Sequence, residues 1–180
     1  MSKIVVITGS PRINGNTNKM AGAFIKAAEA KGHTIDRFDA PFLHLDGCHA
    51  CQTCFTKGRP CTFDDDFNRI APYVEAADGI VYVFPVYWYS VPAQIKAFMD
   101  KFFSFYVTGR DLAGKKSALI SACEENSMET FEGVKFMYEK SVATLKLTNV
   151  GEILIPGVFE VGDIDKTDGV AQAAALANLF

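Results

Sequence analysis

Short runs of almost wholly apolar residues alternate along this chain with longer segments of helical period. Lys3–Thr8, Gly79–Pro85 and Lys116–Cys123 are apolar nearly throughout, with no polar residue at every second position. Strands of that kind are buried on both faces. Thr34–Asp39 and Gly151–Pro156 read as two further strands. Between the strands, Thr17 to about Lys31, Asp66–Ala76, Val91–Phe105, Phe131–Leu145 and Asp168–Leu179 read as helices, the first closed by Gly32 at a C′-like position. Strands that alternate with helices imply right-handed crossovers and a parallel sheet covered on both faces. The expectation is a single α/β domain over residues 1–180, a doubly wound three-layer sandwich on a five-stranded parallel sheet of order 2-1-3-4-5. In such a sheet ligands sit outside the carboxyl ends of the strands, where the strand order reverses. Gly9–Asn18, Pro85–Ser90 and the segment beginning near Ser121 should meet there.

One stretch breaks the pattern. Pro41–Asp65 has no clear period and carries four of the five cysteines. A long irregular segment in a compact domain is often functional. Composition narrows the class further. Of 180 residues, 49% are hydrophobic and 22% charged, the balance of a globular protein with a proper core. The net charge of −3 argues against general nucleic-acid binding. No apolar run approaches a membrane span. The chain starts directly on a strand-like run with no secretory leader pattern, so a cytoplasmic protein is expected. In that compartment cysteines are metal ligands, redox groups or buried thiols more often than disulfides.

Gly9–Asn18, GSPRINGNTN, lies between the first strand and the first helix. A loop leading into a helix N-terminus is an anion site, because free N–H groups and the positive end of the helix dipole face the same point. Ser10, Asn16 and Thr17 add short hydrogen-bonding side chains, and Arg12 adds a fixed charge. The Walker A pattern is absent: five residues separate Gly9 from Gly15, and Asn16 stands where the lysine belongs. The dinucleotide fingerprint G-x-G-x-x-G is absent as well. A mononucleotide phosphate fits better than either. Downstream, Pro85–Tyr89 places Tyr87, Trp88 and Tyr89 after a strand end, where flat rings can wall a planar cofactor or form core or subunit contacts. Phe102, Phe103, Phe105 and Tyr106 extend the aromatic cluster, so a subunit interface is expected nearby.

The loop GSPRINGNT resembles the phosphate loop of the flavodoxin-like NAD(P)H-dependent FMN reductases. Pro85–Pro92 with Gln94–Asp100 resembles the segment that lines the flavin ring in that family. The resemblance covers most of Met1–Lys101, and the C-terminal third matches only in outline. It implies a flavodoxin-like fold and bound FMN, with Ser10, Arg12, Asn16, Thr17 and Asn18 around the phosphate. It sets Pro85, Val86, Tyr87 and Trp88 along the ring, with Ser121 at the third loop. It further implies NAD(P)H as electron donor, a homodimer or homotetramer, and a small-molecule or protein electron acceptor such as a quinone, an azo compound or a flavin. Hydride transfer between stacked rings needs no acid or base from the protein, so no catalytic side chain is expected.

Cys48, Cys51, Cys54 and Cys61 are spaced C-x2-C-x2-C-x6-C. Three thiolates at so short a spacing, with a looser fourth, suit a [4Fe–4S] cluster. Structural zinc more often uses two separated pairs or a Cys/His mixture. The motif also resembles that of the iron–sulfur flavoproteins, which implies an electron carrier as the second reading. The alternatives are buried thiols or a regulatory dithiol. Cys123 reads as a buried structural thiol, and Asp64–Asp66 as the N-cap of the following helix.

Overall fold

The computed structural model describes residues 1–180. Its elements are β1 (Lys3–Thr8), α1 (Asn16–Ala30), β2 (Thr34–Asp39), α2 (Phe67–Ala76), β3 (Gly79–Pro85), α3 (Ala93–Asp100), α4 (Phe103–Val107), β4 (Lys116–Ala122), α5 (Glu132–Thr144), β5 (Thr148–Ile155) and α6 (Gly169–Leu176). The five strands form one parallel sheet in the order β2-β1-β3-β4-β5, the flavodoxin-like arrangement. Register brings the carboxyl ends level: Thr8 pairs with Asp39 and Val83, Pro85 with Ala122, and Ala122 with Ile155.

The period of two within each strand explains the unbroken apolar runs. Val5, Ile7, Ile80, Tyr82, Phe84 and Leu119 face one layer, against α2, α3 and α5. Ile4, Val6, Val81, Val83, Ala118 and Ile120 face the other, against α1 and α6. Both faces are covered, so neither set of positions tolerates polar residues. No helix is long and apolar enough to cross a membrane.

Three elements differ from expectation. Val91–Phe105 is two helices, because Pro92 caps the first and the chain turns at Lys101–Phe102. That turn carries the Lys101 side chain inward to a buried ion pair with Asp65. The fifth strand starts at Thr148, where the polar Thr148 and Asn149 pair with β4 ahead of a bulge at Ser117/Ala118. Polar residues at its exposed start hide it from a reading of hydrophobicity. In the acidic run before α2, Asp66 occupies the N-cap position without a side-chain cap hydrogen bond. Asp65 serves the helix start instead, accepting from the Phe67 N–H at 3.1 Å.

Candidate functional site

Gly9 donates its N–H to the Val83 carbonyl at 2.9 Å, so the loop after β1 leaves the sheet pressed against β3. A Cβ there would stand 2.7 Å from Ile95 Cγ1 and Phe84 Cβ, so no larger residue fits. The loop then folds back on itself. Gly15 N–H donates to the Arg12 carbonyl at 2.7 Å. A Cβ on Gly15 would lie 2.9 Å from that oxygen. Asn18, buried below the loop, donates from Nδ2 to the carbonyls of Ser10 at 3.2 Å and Arg12 at 2.8 Å. Its Oδ1 accepts from Arg37 at 3.3 Å. Asn18 therefore holds the loop's shape and has its polar atoms committed to the protein.

The start of α1 is open. Its N-cap is Gly15, no side chain caps it, and no acidic residue lies in its first turn. Its first N–H groups and the positive end of its dipole thus face the loop without a competing anion. Ser10 and Thr17 are almost fully buried beside it. Arg12 and Asn16 reach across to the segment after β5. Arg12 donates to the Phe159 carbonyl at 3.3 Å, with its guanidinium 5.6 Å from the centre of the Phe159 ring. Asn16 donates to the Glu160 carbonyl at 2.9 Å and accepts from the N–H groups of Gly162 and Ile164 at 3.2 and 3.3 Å.

These residues line a pocket of about 190 Å³ at the carboxyl ends of four strands. Its walls are Ser10, Arg12, Gly15, Asn16 and Thr17 after β1, Pro85, Val86 and Tyr87 after β3, Ala122, Cys123 and Glu124 after β4, and Val158 and Phe159 after β5. Of the residues picked out in the sequence, Ser10, Arg12, Asn16, Thr17, Pro85, Val86 and Tyr87 come together here. Asn18, Trp88 and Ser121 do not line the pocket. Ser121 is wholly buried and donates to the Phe84 carbonyl at 2.7 Å, tying β4 to β3. Trp88 is 95% exposed. It occupies a two-residue turn in which Trp88 (φ 49°) and Tyr89 (φ 60°) are both left-handed. Tyr87 and Ser90 exchange N–H to carbonyl bonds of 2.9 and 3.0 Å across it. The indole is left in solvent, outside the pocket.

The wall after β5 was not foreseen. Its signal lay in topology: a fifth parallel strand ending level with the fourth must deliver its loop to the same crevice. Cys123 also lines the pocket, although it is buried as expected of a structural thiol. Its Sγ lies 3.2 Å from the Glu125 carbonyl, and burial pushes the thiol up from its ordinary pKa. The Val86 N–H is spent on the Ala122 carbonyl at 2.9 Å. With the Tyr87 and Ser90 N–H groups paired to each other's residues, these three donors are committed within the protein.

The second feature is a small pocket in the irregular segment. Cys48, Cys51, Cys54 and Cys61 all line it, together with Lys101, Phe103 and Ser104. Left-handed φ values of 52°, 55° and 59° at Ala50, Gln52 and Phe55 coil the segment around it. All five cysteines are free thiols. Burial raises the Cys54 pKa, and negative charge on Cys48, Cys51 and Cys61 adds to the rise, so Cys54 senses the other three sulfurs. Hydrogen bonding to Thr53, whose Oγ1 is 3.0 Å from the sulfur, lowers the Cys51 pKa. No three histidine, cysteine, aspartate or glutamate side chains converge tightly enough to hold a single metal ion. His49 stacks on Phe63 with ring centres 4.4 Å apart. Beneath the sulfurs lies the buried Lys101–Asp65 pair, with Lys101 Nζ 3.9 Å from Cys61 Sγ.

Known proteins match this chain in sequence and in fold. The sequence model of the NADPH-dependent FMN reductase family matches residues 2–133. An iron–sulfur flavoprotein of Archaeoglobus fulgidus is 36% identical over 99 residues, which is 55% of this chain and 44% of that protein. An iron–sulfur flavoprotein of Methanosarcina thermophila is 37% identical over 99 residues, 55% of this chain and 51% of that one. The matched region thus spans about half the length of these curated relatives. Among solved structures, an NAD(P)H:quinone oxidoreductase from Methanothermobacter marburgensis superposes with a TM-score of 0.78 at 14% identity, covering 98% of this chain and 94% of that one. An azoreductase from Bacillus anthracis gives 0.74 at 18% identity, with 100% of both chains covered. At such identities the likeness is one of fold.

Proposed function

Because the chain belongs to the NADPH-dependent FMN reductase family, we propose that it is an oxidoreductase that binds FMN in the pocket at its strand ends. The observation that carries this reading is the uncapped start of α1 opening into a pocket walled by Pro85, Val86 and Tyr87. The residues fit the group. First-turn N–H groups of α1, Ser10 and Thr17 would take the phosphate, and Arg12 would balance its charge. Pro85, Val86 and Tyr87 would lie along the flavin ring, with Cys123 and Phe159 across from them. Asn18 would act from beneath, by fixing the loop. FMN, when bound, supplies a hydride acceptor and a store of two electrons. The protein's part is to hold the ring, shield one side of it and leave the other open to a nicotinamide and then to the acceptor. NAD(P)H is the proposed donor, and a quinone, an azo compound or a free flavin the proposed class of acceptor. A cytoplasmic homodimer or homotetramer is the proposed form, with exposed Phe103 and Tyr106 on a face suited to a second copy.

The cysteine pocket supports a second reading, an iron–sulfur flavoprotein that carries electrons. The support is that Cys48, Cys51, Cys54 and Cys61, at a spacing that suits a [4Fe–4S] cluster better than zinc, line one pocket. The relatives' names point the same way. Anaerobic purification followed by absorbance, iron and sulfide analysis tests both readings. Yellow protein oxidised by quinone and reduced by NADH or NADPH is expected for the reductase. Iron and sulfide in equal amounts, with slow reduction by nicotinamide, are expected for the carrier. Colourless protein that takes up no added FMN refutes both.

A further inference from the structure

We propose that the Ser104 hydroxyl is a hydrogen-bond donor held for the sulfur-rich group of the cysteine pocket, and that it eases that group's reduction. The proposal rests on the iron–sulfur reading. Ser104 is 3% exposed, and its Oγ is the one buried side-chain polar atom in the structure without a hydrogen-bond partner. Such an atom is rare in a folded protein and calls for a ligand, an ion or a water. Helical serines and threonines ordinarily satisfy themselves on the carbonyl four residues back. Thr108 does so on Ser104 at 2.6 Å, and Ser141 on Met137 at 2.8 Å. Ser104 does not.

Its surroundings say what acceptor the pocket offers. Ser104 lines the same pocket as the four cysteines. Its N–H donates to the Lys101 carbonyl at 2.9 Å, so one tight turn joins the two residues and sets them on one face. Lys101 lies against Cys61 from that face. The charge of Lys101 is answered by Asp65, whose own oxygens also accept from Phe67 and Asp46 N–H groups at 3.1 and 3.0 Å. Lys101 also donates to Cys61 Sγ at 3.9 Å, and Ser104 is the side-chain donor of this pocket left without a partner. Each one-electron reduction adds one negative charge to the group, and no bond to the protein need break. A donor aimed at sulfur stabilises the more negative form more strongly, and so raises the potential. Ser104 is thus a positioning residue for charge, acting on the cluster through space.

The test compares the full chain, reconstituted anaerobically with iron and sulfide, as wild type, Ser104→Ala and Ser104→Thr. Each is titrated with dithionite, the electron source, and followed by electron paramagnetic resonance with iron and sulfide counted. Ser104→Ala is expected to keep its iron. Its ratio of reduced to oxidised cluster at a fixed potential should fall by about tenfold, about 59 mV for one electron. Ser104→Thr, which keeps the hydroxyl, should stay near wild type. Before reconstitution Ser104→Ala should melt no lower than wild type, since no partner is lost. Iron loss from Ser104→Ala at unchanged melting overturns the proposal, since the hydroxyl would then retain the group and not tune its reduction. Coincident midpoints with intact clusters overturn the proposal alone. A lower melting point before reconstitution, with coincident midpoints after it, shows a structural role and overturns it too. Wild type that takes up neither iron nor sulfide overturns the cluster reading and the proposal together.

Discussion

Lys101 is the most informative single residue to remove. Its side chain is 3% exposed and that of its partner Asp65 is 0% exposed. Lys101→Met keeps the length and apolar stem of the side chain and deletes only the charge. The Asp65 carboxylate would then stay buried with two backbone donors, from Asp46 at 3.0 Å and Phe67 at 3.1 Å. Breaking a buried pair by removing one partner costs about 3–5 kcal/mol. The two remaining charge-assisted bonds put the expected loss at the lower end, about 3 kcal/mol. For a domain of this size that is a fall in Tm of roughly 6–12 °C. Asp65→Asn in the same chain removes the stranded charge and leaves an oxygen for the backbone donors, so the double variant should recover at least half of the loss. Urea unfolding followed by circular dichroism at constant m-value measures both changes. A single-variant loss below about 1 kcal/mol, the range of exposed pairs, would refute the claim that this pair is sealed from water. So would a double variant less stable than Lys101→Met.

Asn18→Ala should weaken FMN binding without touching it, because the carbonyls of Ser10 and Arg12 lose their shared donor. Two net hydrogen bonds of about 1 kcal/mol each set the stability cost near 2 kcal/mol, and quenching of flavin fluorescence on titration reads the affinity. Replacing Trp88-Tyr89 by Asn-Gly suits a turn whose two central residues are left-handed. That change should stabilise the fold by about 1 kcal/mol, seen as a higher urea midpoint, and a loss of that size would show that the aromatics are packed. Cys51 and Cys54 should separate in alkylation. Hydrogen bonding to Thr53 lowers the first thiol, so its reactive thiolate appears at lower pH. Burial and neighbouring sulfur charge raise the second, so its thiolate appears only as pH climbs further. Peptide mass analysis after short iodoacetamide pulses across pH checks the order, and Cys54 reacting first refutes it. Tyr82 and Tyr138 are both pushed up, chiefly by burial. A phenol whose folded pKa is raised contributes stability that is whole below the unfolded value, near 10, and fades above it. The urea midpoint should therefore hold to about pH 10 and fall beyond it.

Pattern alone settled the sheet, since both its faces are covered and every central strand had to be apolar twice over. Lys3–Thr8, Thr34–Asp39 and Gly79–Pro85 needed no adjustment at either end. What was hidden depended on partners far away in the chain. Lys101 looked like an interior residue of one helix over Val91–Phe105, and its partner Asp65, thirty-six positions earlier, meets it where that helix divides. Asp65 in turn looked like one member of an acidic run capping the next helix, and its bond to the Phe67 N–H is only part of what it does. Trp88 was chosen for its ring, but ring chemistry does not say where a side chain points, and two left-handed residues sent it outward. Asn18 carried the right chemistry for an anion, but its Nδ2 is spent on the loop that shapes the site and its Oδ1 on Arg37 of β2.

The same logic separates the two pockets. The pocket at the strand ends is set by topology, because four parallel strands ending level must deliver four loops to one crevice, whatever those loops contain. The cysteine pocket is set by side chains. The segment that bears it has little regular structure, and its backbone is coiled by left-handed turns and pinned from outside. Asn68 accepts from the Cys61 N–H at 2.7 Å, Asp65 from Asp46, and Asp66 from His44 at 2.8 Å. All three pins come from the start of α2 or just before it. A change there should therefore reach the thiols while sparing the flavin site. Asn68→Ala is the cleanest case, since it frees the Cys61 N–H without disturbing the buried ion pair. It should lower iron retention and leave FMN affinity as it was. Parallel loss of both would mean that the two pockets are coupled through α2 and that the division drawn here is wrong.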